Sequence, residues 1–372
     1  MKNDMIRVLE IVSGLDGGGV ESMLLNYIYY FDKEKIQVDF AVHSQSVGKT
    51  EAEFEKLGCK IYRVTPKTVN FGKNIIDLYK LIKIGKYDVV HSHFNIKGIT
   101  HLITAWFCGV KIRIIHTHRA YVPLLGKFKY LSSILKFLCK VFATHWFACS
   151  SDAGIEMFGK KDFDNGKVTV IKNAIEAKKF NFDNKVREKV RKEFGFEKKF
   201  VVGMVARFHE QKNHLFLIDI FNEIININLN SVLLLVGDGE LNQKIHEYVK
   251  DHNLQDVVFF TGIRSDVNEL MQAMDVFVLP TQCEGLGIVL IESQAAGLKT
   301  YTSLEGVPKE TKITDLIEYI SLSKSPEYWA NEILKSNNNY QRLSEIELIK
   351  ASGYDISSQA KILEDIYLYG YK

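Results

Sequence analysis

The sequence predicts an α/β protein made of two doubly wound parallel sheets. Three observations lead there. The length of 372 residues exceeds what one hydrophobic core usually serves. Short β-branched and aromatic runs alternate with helical patterns. That alternation starts afresh after a charged interruption. A hydrophobic share of 46% and a charged share of 25% fit a globular chain and exclude fibrous or disordered classes.

The first round reads "IRVLEIVS", "VESMLLNYIYYF", "QVDFAV", "EAEFEKLG", "KIYRV", "NIIDLYKLIKIG", "YDVVHSH", "KGITHLITAWFCG" and "KIRIIHTH". Strands spaced by helices imply βαβ crossovers and a parallel sheet. The second round reads "KFVVGMVAR", "NHLFLIDIFNEII", "SVLLLVGDG", "ELNQKIHEYVKDH", "VVFFTG", "VNELMQAM" and "DVFVLP". The seam is expected after "KVTVIKNAIEAKKF", where the charged run Asn181 to Glu197 takes over. This gives a first domain over 1–178 and a second over 179–354. Helical patterns dominate from Pro326, and residues 355–372 are expected to form a helix that crosses back to the first domain. Open α/β sheets bind ligands at the carboxyl ends of their strands, so a cleft is expected where the two domains present those edges.

No apolar run approaches the roughly 18 residues of a spanning helix, and no signal-peptide core precedes the first strand. The protein is expected in the cytoplasm. Its cysteines, Cys59, Cys108, Cys139, Cys149 and Cys283, are odd in number and lack C-x-x-C spacing, which argues against a disulfide framework and a zinc site. Residues 1–165 carry 23 Lys and Arg against 16 Asp and Glu, a balance of +7, and the remainder carries 25 against 29, or −4. The first half is therefore the side suited to an anionic partner.

"SGLDGGGVESML" sets Gly17, Gly18 and Gly19 between a strand and a helix. Such a turn lets backbone N–H groups approach an anion, or is simply tight. Arg207 and Lys212 in "GMVARFHEQKNH" follow a strand end and suit a diphosphate, with solvated surface cations as the alternative. In "PTQCEGLGIVLIES", Glu284 falls in a loop and Glu292 more than one turn into a helix that starts near Leu286 or Gly287. Carboxylates hold vicinal hydroxyls well, because each oxygen accepts from one O–H. A sugar, a phosphate at the helix N-terminus and a ribose would then lie in sequence.

"VVHSHF" and "IIHTHRAY" place His91, His93, His116 and His118 at strand ends. Alternate strand residues share a face, but no Asp, Glu or Cys stands at ligand spacing, so hydrogen-bonded histidines are expected rather than a metal site. The stretch Tyr121 to Phe147, with Lys127, Lys129, Lys136 and Lys140, reads as a basic amphipathic helix suited either to an anionic membrane surface or to core packing. No nucleic-acid-binding motif is present.

In order along the chain, "GGGVES", "HTHRAY", "VIKNAIE", "VARFHEQKNH", "FTGIRSDVNELM" and Glu284-x7-Glu292 with "SQAAG" resemble the family-4 retaining glycosyltransferases of the GT-B fold, in particular bacterial enzymes that build capsular or exopolysaccharide repeat units. The resemblance implies transfer of a sugar from a nucleotide diphosphate sugar, UDP-sugar favoured, to a saccharide acceptor, lipid-linked at the inner membrane face. It implies that Arg207 and Lys212 hold the diphosphate, Glu292 the ribose and Glu284 the transferred sugar. Gly285, Leu286 and Gly287 would offer backbone amides, Gly18 and Gly19 would approach the phosphates, His118 would contact the sugar, and Gly262 to Arg264 would line the base pocket. The departing phosphate would take the acceptor's proton on the same face. Neither a cofactor nor a metal is implied, since Arg207 and Lys212 replace a divalent ion, and the sequence is read as lacking a clear D-x-D metal motif. Two stretches depart from the pattern: "LKTY" places Lys299 where the family commonly has proline and small apolar residues, and "SLEGVPKETKITDLIEYISLS" is compact. The alternatives are a nucleotide-sugar epimerase of the same architecture and a non-catalytic nucleotide-sugar-binding partner of another transferase.

Overall fold

The computed structural model describes residues 5–118, 128–336 and 340–370. The chain divides into two units, residues 1–174 with 356–372 and residues 175–355.

The first unit holds strands β1 (Ile6–Val12), β2 (Ile36–Val42), β3 (Lys60–Arg63), β4 (Val89–Ser92), β5 (Ile112–Thr117), β6 (His145–Ala148) and β7 (Val168–Val170). They form a parallel sheet in the order β3-β2-β1-β4-β5-β6-β7. Val8, Leu9, Ile11 and Val12 are all buried, as expected for a strand covered on both faces. Glu10 sits among them, equally buried, and a carboxylate there needs partners. The winding reverses between β1 and β4, which opens a crevice at their carboxyl ends. In this register Glu10 lies opposite His91, and His91 opposite Ile114.

The second unit holds β8 (Phe200–Val205), β9 (Ser231–Val236), β10 (Val258–Phe260), β11 (Val276–Leu279), β12 (Lys299–Ser303) and β13 (Ile317–Ile320). All pair in parallel in the order β10-β9-β8-β11-β12-β13. Here the reversal falls between β8 and β11. Its helices are started by local chemistry: the Asp183 carboxylate accepts from the N–H groups of Lys185 and Val186 at the head of helix Asn184–Phe194, a cap worth about 1 kcal/mol.

The last helix, Ile356–Tyr369, belongs to the first unit. Ile356, Ala360, Leu363, Ile366 and Tyr367 enter the same core as Val8, Leu24 and Phe40, and Tyr367 reaches the floor of the β1/β4 crevice.

One expectation is corrected. The stretch Tyr121 to Phe147 is not one helix: the described helix is Phe128–Phe142, and His145 to Phe147 lie in β6, beside β5. Residues 119–127, with Lys127, and the Lys129 side chain lie outside the described residues. The helix stops where the Thr144 N–H and hydroxyl turn to Arg113, joining the chain to the sheet. Strands β6, β12 and β13 were not separated by pattern alone.

Candidate functional site

In the second unit, the β8/β11 reversal gathers most of the residues singled out by sequence. Past β8, Arg207 leads into a 3-10 turn, Glu210–Lys212, and then the helix His214–Ile227. Past β11, Thr281 to Gly287 lead into the helix Ile288–Ala295. The two loops are laced together: the Gln282 N–H and the Thr281 hydroxyl both donate to the Gln211 carbonyl, at 2.8 and 2.9 Å, and the Gln211 side chain donates to the Cys283 carbonyl. Gly287 adopts φ 73° at the helix start, a left-handed conformation that glycine holds without strain.

Lys212 Nζ lies 2.5 Å from Glu284 Oε1, with both side chains largely buried. Arg207 is 72% exposed and only 3.2 Å from Glu240, so its guanidinium is available to a ligand. The Glu292 carboxyl, on the second turn of its helix, has no hydrogen-bond partner among the described residues. Burial pushes that carboxyl up to about 7. In its ionised form that carboxyl can accept hydroxyl hydrogens.

Gly262 lies past β10 at φ 68° and accepts from the Gly237 N–H at 2.9 Å. One edge of the Arg264 guanidinium is held by the Asp266 carboxylate, Nε at 2.8 Å and Nη2 at 2.6 Å. Gly285 is exposed, whereas the Leu286 side chain is buried. Lys299 opens β12 and rests its ammonium over the Tyr340 ring.

In the first unit, Gly18 caps the helix Gly19–Tyr30 with extended backbone. Glu21 folds back over it: a β-carbon at Gly18 would stand 2.6 Å from Glu21 Oε2. Burial, with Asp16 nearby, raises the Glu21 carboxyl. Nothing stands within 4 Å of a β-carbon at Gly19.

The four histidines form one network. His93 Nε2 lies 2.8 Å from Glu10 Oε2, and His93 Nδ1 lies 2.8 Å from His118 Nε2. The Tyr367 hydroxyl donates to Glu10 Oε1 at 2.7 Å, His91 Nδ1 lies 2.7 Å from that hydroxyl, and His91 Nε2 lies 3.2 Å from His116 Nδ1. Burial would raise the Glu10 carboxyl, but the adjacent His91 and His93 reverse that and hold it well below the usual range. Burial lowers His93 to about 4, and burial with His93 and His91 beside it holds His118 well below its ordinary value. A pocket of about 460 Å³ opens beside this network, lined by Ser13, His93, Asn95, Lys97, His118 and Glu156 among others.

His91, His93 and His116 each bring a nitrogen within 4.8 Å of the others, a spacing open to an ion. The His91 and His93 nitrogens and His116 Nδ1 already have hydrogen-bond partners, which favours the hydrogen-bonded reading. Sequence spacing missed Glu10, which arrives from another strand; the signal was a lone glutamate in the apolar run "IRVLEIVS". A D-x-D spacing does occur, at Asp162 and Asp164, but Asp162 takes Lys140 and Lys167 while Asp164 takes Lys160.

Residues 17–179 match the family described as Glycosyltransferase Family 4, and residues 186–347 match Glycosyl transferases group 1. EpsF of Bacillus subtilis (strain 168), named as a glycosyltransferase, is 30% identical over 99% of this chain and 97% of its own. An Escherichia coli UDP-Gal:alpha-D-GlcNAc-diphosphoundecaprenol alpha-1,3-galactosyltransferase is 35% identical over 62% of this chain and 61% of its own. The capsular polysaccharide biosynthesis glycosyltransferase CapH of Staphylococcus aureus is 25% identical over 98% and 99%. Among solved structures, Anabaena HepE in complex with UDP superposes with a TM-score of 0.76 at 17% identity, over 97% of this chain and 98% of that one; both are GT-B folds. With a relative aligned along nearly its whole length and two consecutive glycosyltransferase matches, the chain belongs to the family-4 glycosyltransferases.

Proposed function

We propose that this glycosyltransferase moves a sugar, with retention, from a UDP-sugar to a lipid-linked saccharide in surface polysaccharide synthesis, without a metal ion. The observation that carries the donor half is Glu292, whose carboxyl is raised to about 7 and whose side chain has no hydrogen-bond partner among the described residues, on the helix that follows the Lys212–Glu284 loops. Ribose hydroxyls donate to Glu292, and Arg207 and Lys212 take the diphosphate. As the diphosphate draws Lys212 away, Glu284 is freed to accept from hydroxyls of the transferred sugar. His118 contacts a sugar hydroxyl from the first unit.

Fixed cations and the Gly285 to Gly287 amides stabilise the charge that develops on the departing phosphate. That phosphate takes the acceptor hydroxyl's proton, so no carboxylate nucleophile is needed. The uridine and lipid-diphosphate parts are supported by the names of the relatives described above.

Contact with the membrane is supported by an apolar side of the helix Phe128–Phe142, away from Lys136 and Lys140. Lys136 pairs with Glu156 and Lys140 with Asp162. The open side carries Leu131, Ile134, Phe137 and Val141, all exposed, and Trp106 and Phe107 are exposed on the helix beside it. Among the described residues no helix is long and apolar enough to cross a membrane.

The test is a thermal-shift and hydrolysis screen against UDP-, GDP- and ADP-sugars, with Glu292→Ala and Arg207→Ala alongside. A ligand at a hundred times its dissociation constant adds about 2.7 kcal/mol. One UDP-sugar should stabilise the native chain and neither variant; silence toward every donor and acceptor would sink the reading.

A further inference from the structure

We propose that Glu10 is a positioning residue that sets the tautomer of His118 through His93, so that His118 turns a bare Nδ1, an acceptor, toward a sugar hydroxyl in the pocket of the first unit. The inference rests on the glycosyltransferase reading for its substrate, but its geometry stands alone.

A neutral imidazole has one N–H and one lone pair, so fixing either nitrogen fixes the other. Glu10 is a carboxylate and can only accept. His93 Nε2, 2.8 Å away, must therefore carry the proton, which leaves His93 Nδ1 bare. That nitrogen lies 2.8 Å from His118 Nε2, which must then be the N–H. His118 Nδ1 is left with its lone pair. Both rings stay neutral because burial disfavours their charged forms, so the relay holds around neutral pH.

The second carboxylate oxygen is held by the Tyr367 hydroxyl at 2.7 Å, and His91 Nδ1 adds a contact of 3.2 Å to Oε2. These donors keep Glu10 ionised without bulk water. The backbone N–H of His118 donates to Asn95 Oδ1 at 3.2 Å, fixing where that ring begins. Ser13, Asn95, Lys97 and Glu156 line the same pocket, a polar set suited to a saccharide. An acceptor nitrogen selects a hydroxyl that donates, and would repel an anionic or carbonyl oxygen at that place.

The experiment is long-range proton–nitrogen NMR of the full chain with 15N-labelled histidine, with His118→Asn assigning the His118 signals. Native protein should show His93 and His118 as neutral Nε2–H tautomers at pH 7. In Glu10→Gln, whose side chain can donate as well as accept, His118 should become a tautomer mixture. Turnover should fall about tenfold, the worth of one misdirected hydrogen bond, while affinity for free UDP stays within about twofold. A native His118 found as Nδ1–H or as imidazolium, a stoichiometric zinc on these rings, or a Glu10→Gln protein with unchanged tautomer and turnover would each overturn the proposal. The tautomers are read without substrate, so a failure of the donor screen would count against the functional reading alone.

Discussion

Glu292 was legible as a candidate because the sequence isolates it: a carboxylate among Leu290, Ile291, Ala295 and Ala296, eight positions from another in a glycine-rich turn. Glu10 was not legible as a site, because its partners are 83 and 357 positions away and only the sheet brings them together. The raised Glu292 carboxyl gives a signed pH prediction. The unfolded chain ionises near 4.5 and the folded one near 7, so the folded state binds the extra proton between them. Stability therefore falls as pH rises through that window, and the cost is fully present above it. Glu292→Gln should stabilise the protein by about 2–3 kcal/mol at pH 8 and change little at pH 4, as denaturant titrations would show. Ribose hydroxyls favour the ionised form, so UDP binding near pH 6.5 should release a proton. Calorimetry in buffers of different ionisation enthalpy would detect it, and proton uptake instead would refute the ribose role.

The elements with continuous apolar runs, such as β8, β9 and β11, could be read directly. Strand β12 could not, because "KTYTS" looks polar, yet Thr300, Thr302 and Ser303 are buried. Their hydroxyls are met inside, Thr300 Oγ1 by Ser293 at 2.8 Å and Thr302 Oγ1 by the Leu279 carbonyl at 2.8 Å, so burial cost no unpaired group. The helix Phe128–Phe142 shows the opposite case: its periodicity was visible, but which face the lysines take depended on Glu156 and Asp162, supplied from outside it. A paired Ile134→Ser and Phe137→Ser variant should lose about tenfold or more in affinity for anionic vesicles by co-sedimentation. Lys136→Ala should keep that affinity within about twofold and cost under about 1 kcal/mol of stability. The reverse ranking would mean that charge, rather than the apolar ridge, makes the contact.

For the whole molecule, the alternation of patterns announced two wound sheets, and the two reversals of strand order, at β1/β4 and β8/β11, came from tertiary pairing that no local pattern encodes. The helix Ile356–Tyr369 contributes to the core of the first unit alone. Deleting 356–372 should therefore unfold residues 1–174 selectively while 175–355 stays protected, a result hydrogen exchange followed by proteolysis would resolve. Equal loss of protection in both halves would show that the units do not fold independently.

The same helix sets a timetable for synthesis. Strands β1 to β7 leave the ribosome first, yet Glu10 lacks its Tyr367 donor, and the sheet lacks one of its covering helices, until the whole second unit has followed. The unit made first is thus finished last, and during translation it must wait half-built, with a carboxylate in its central strand still open to water.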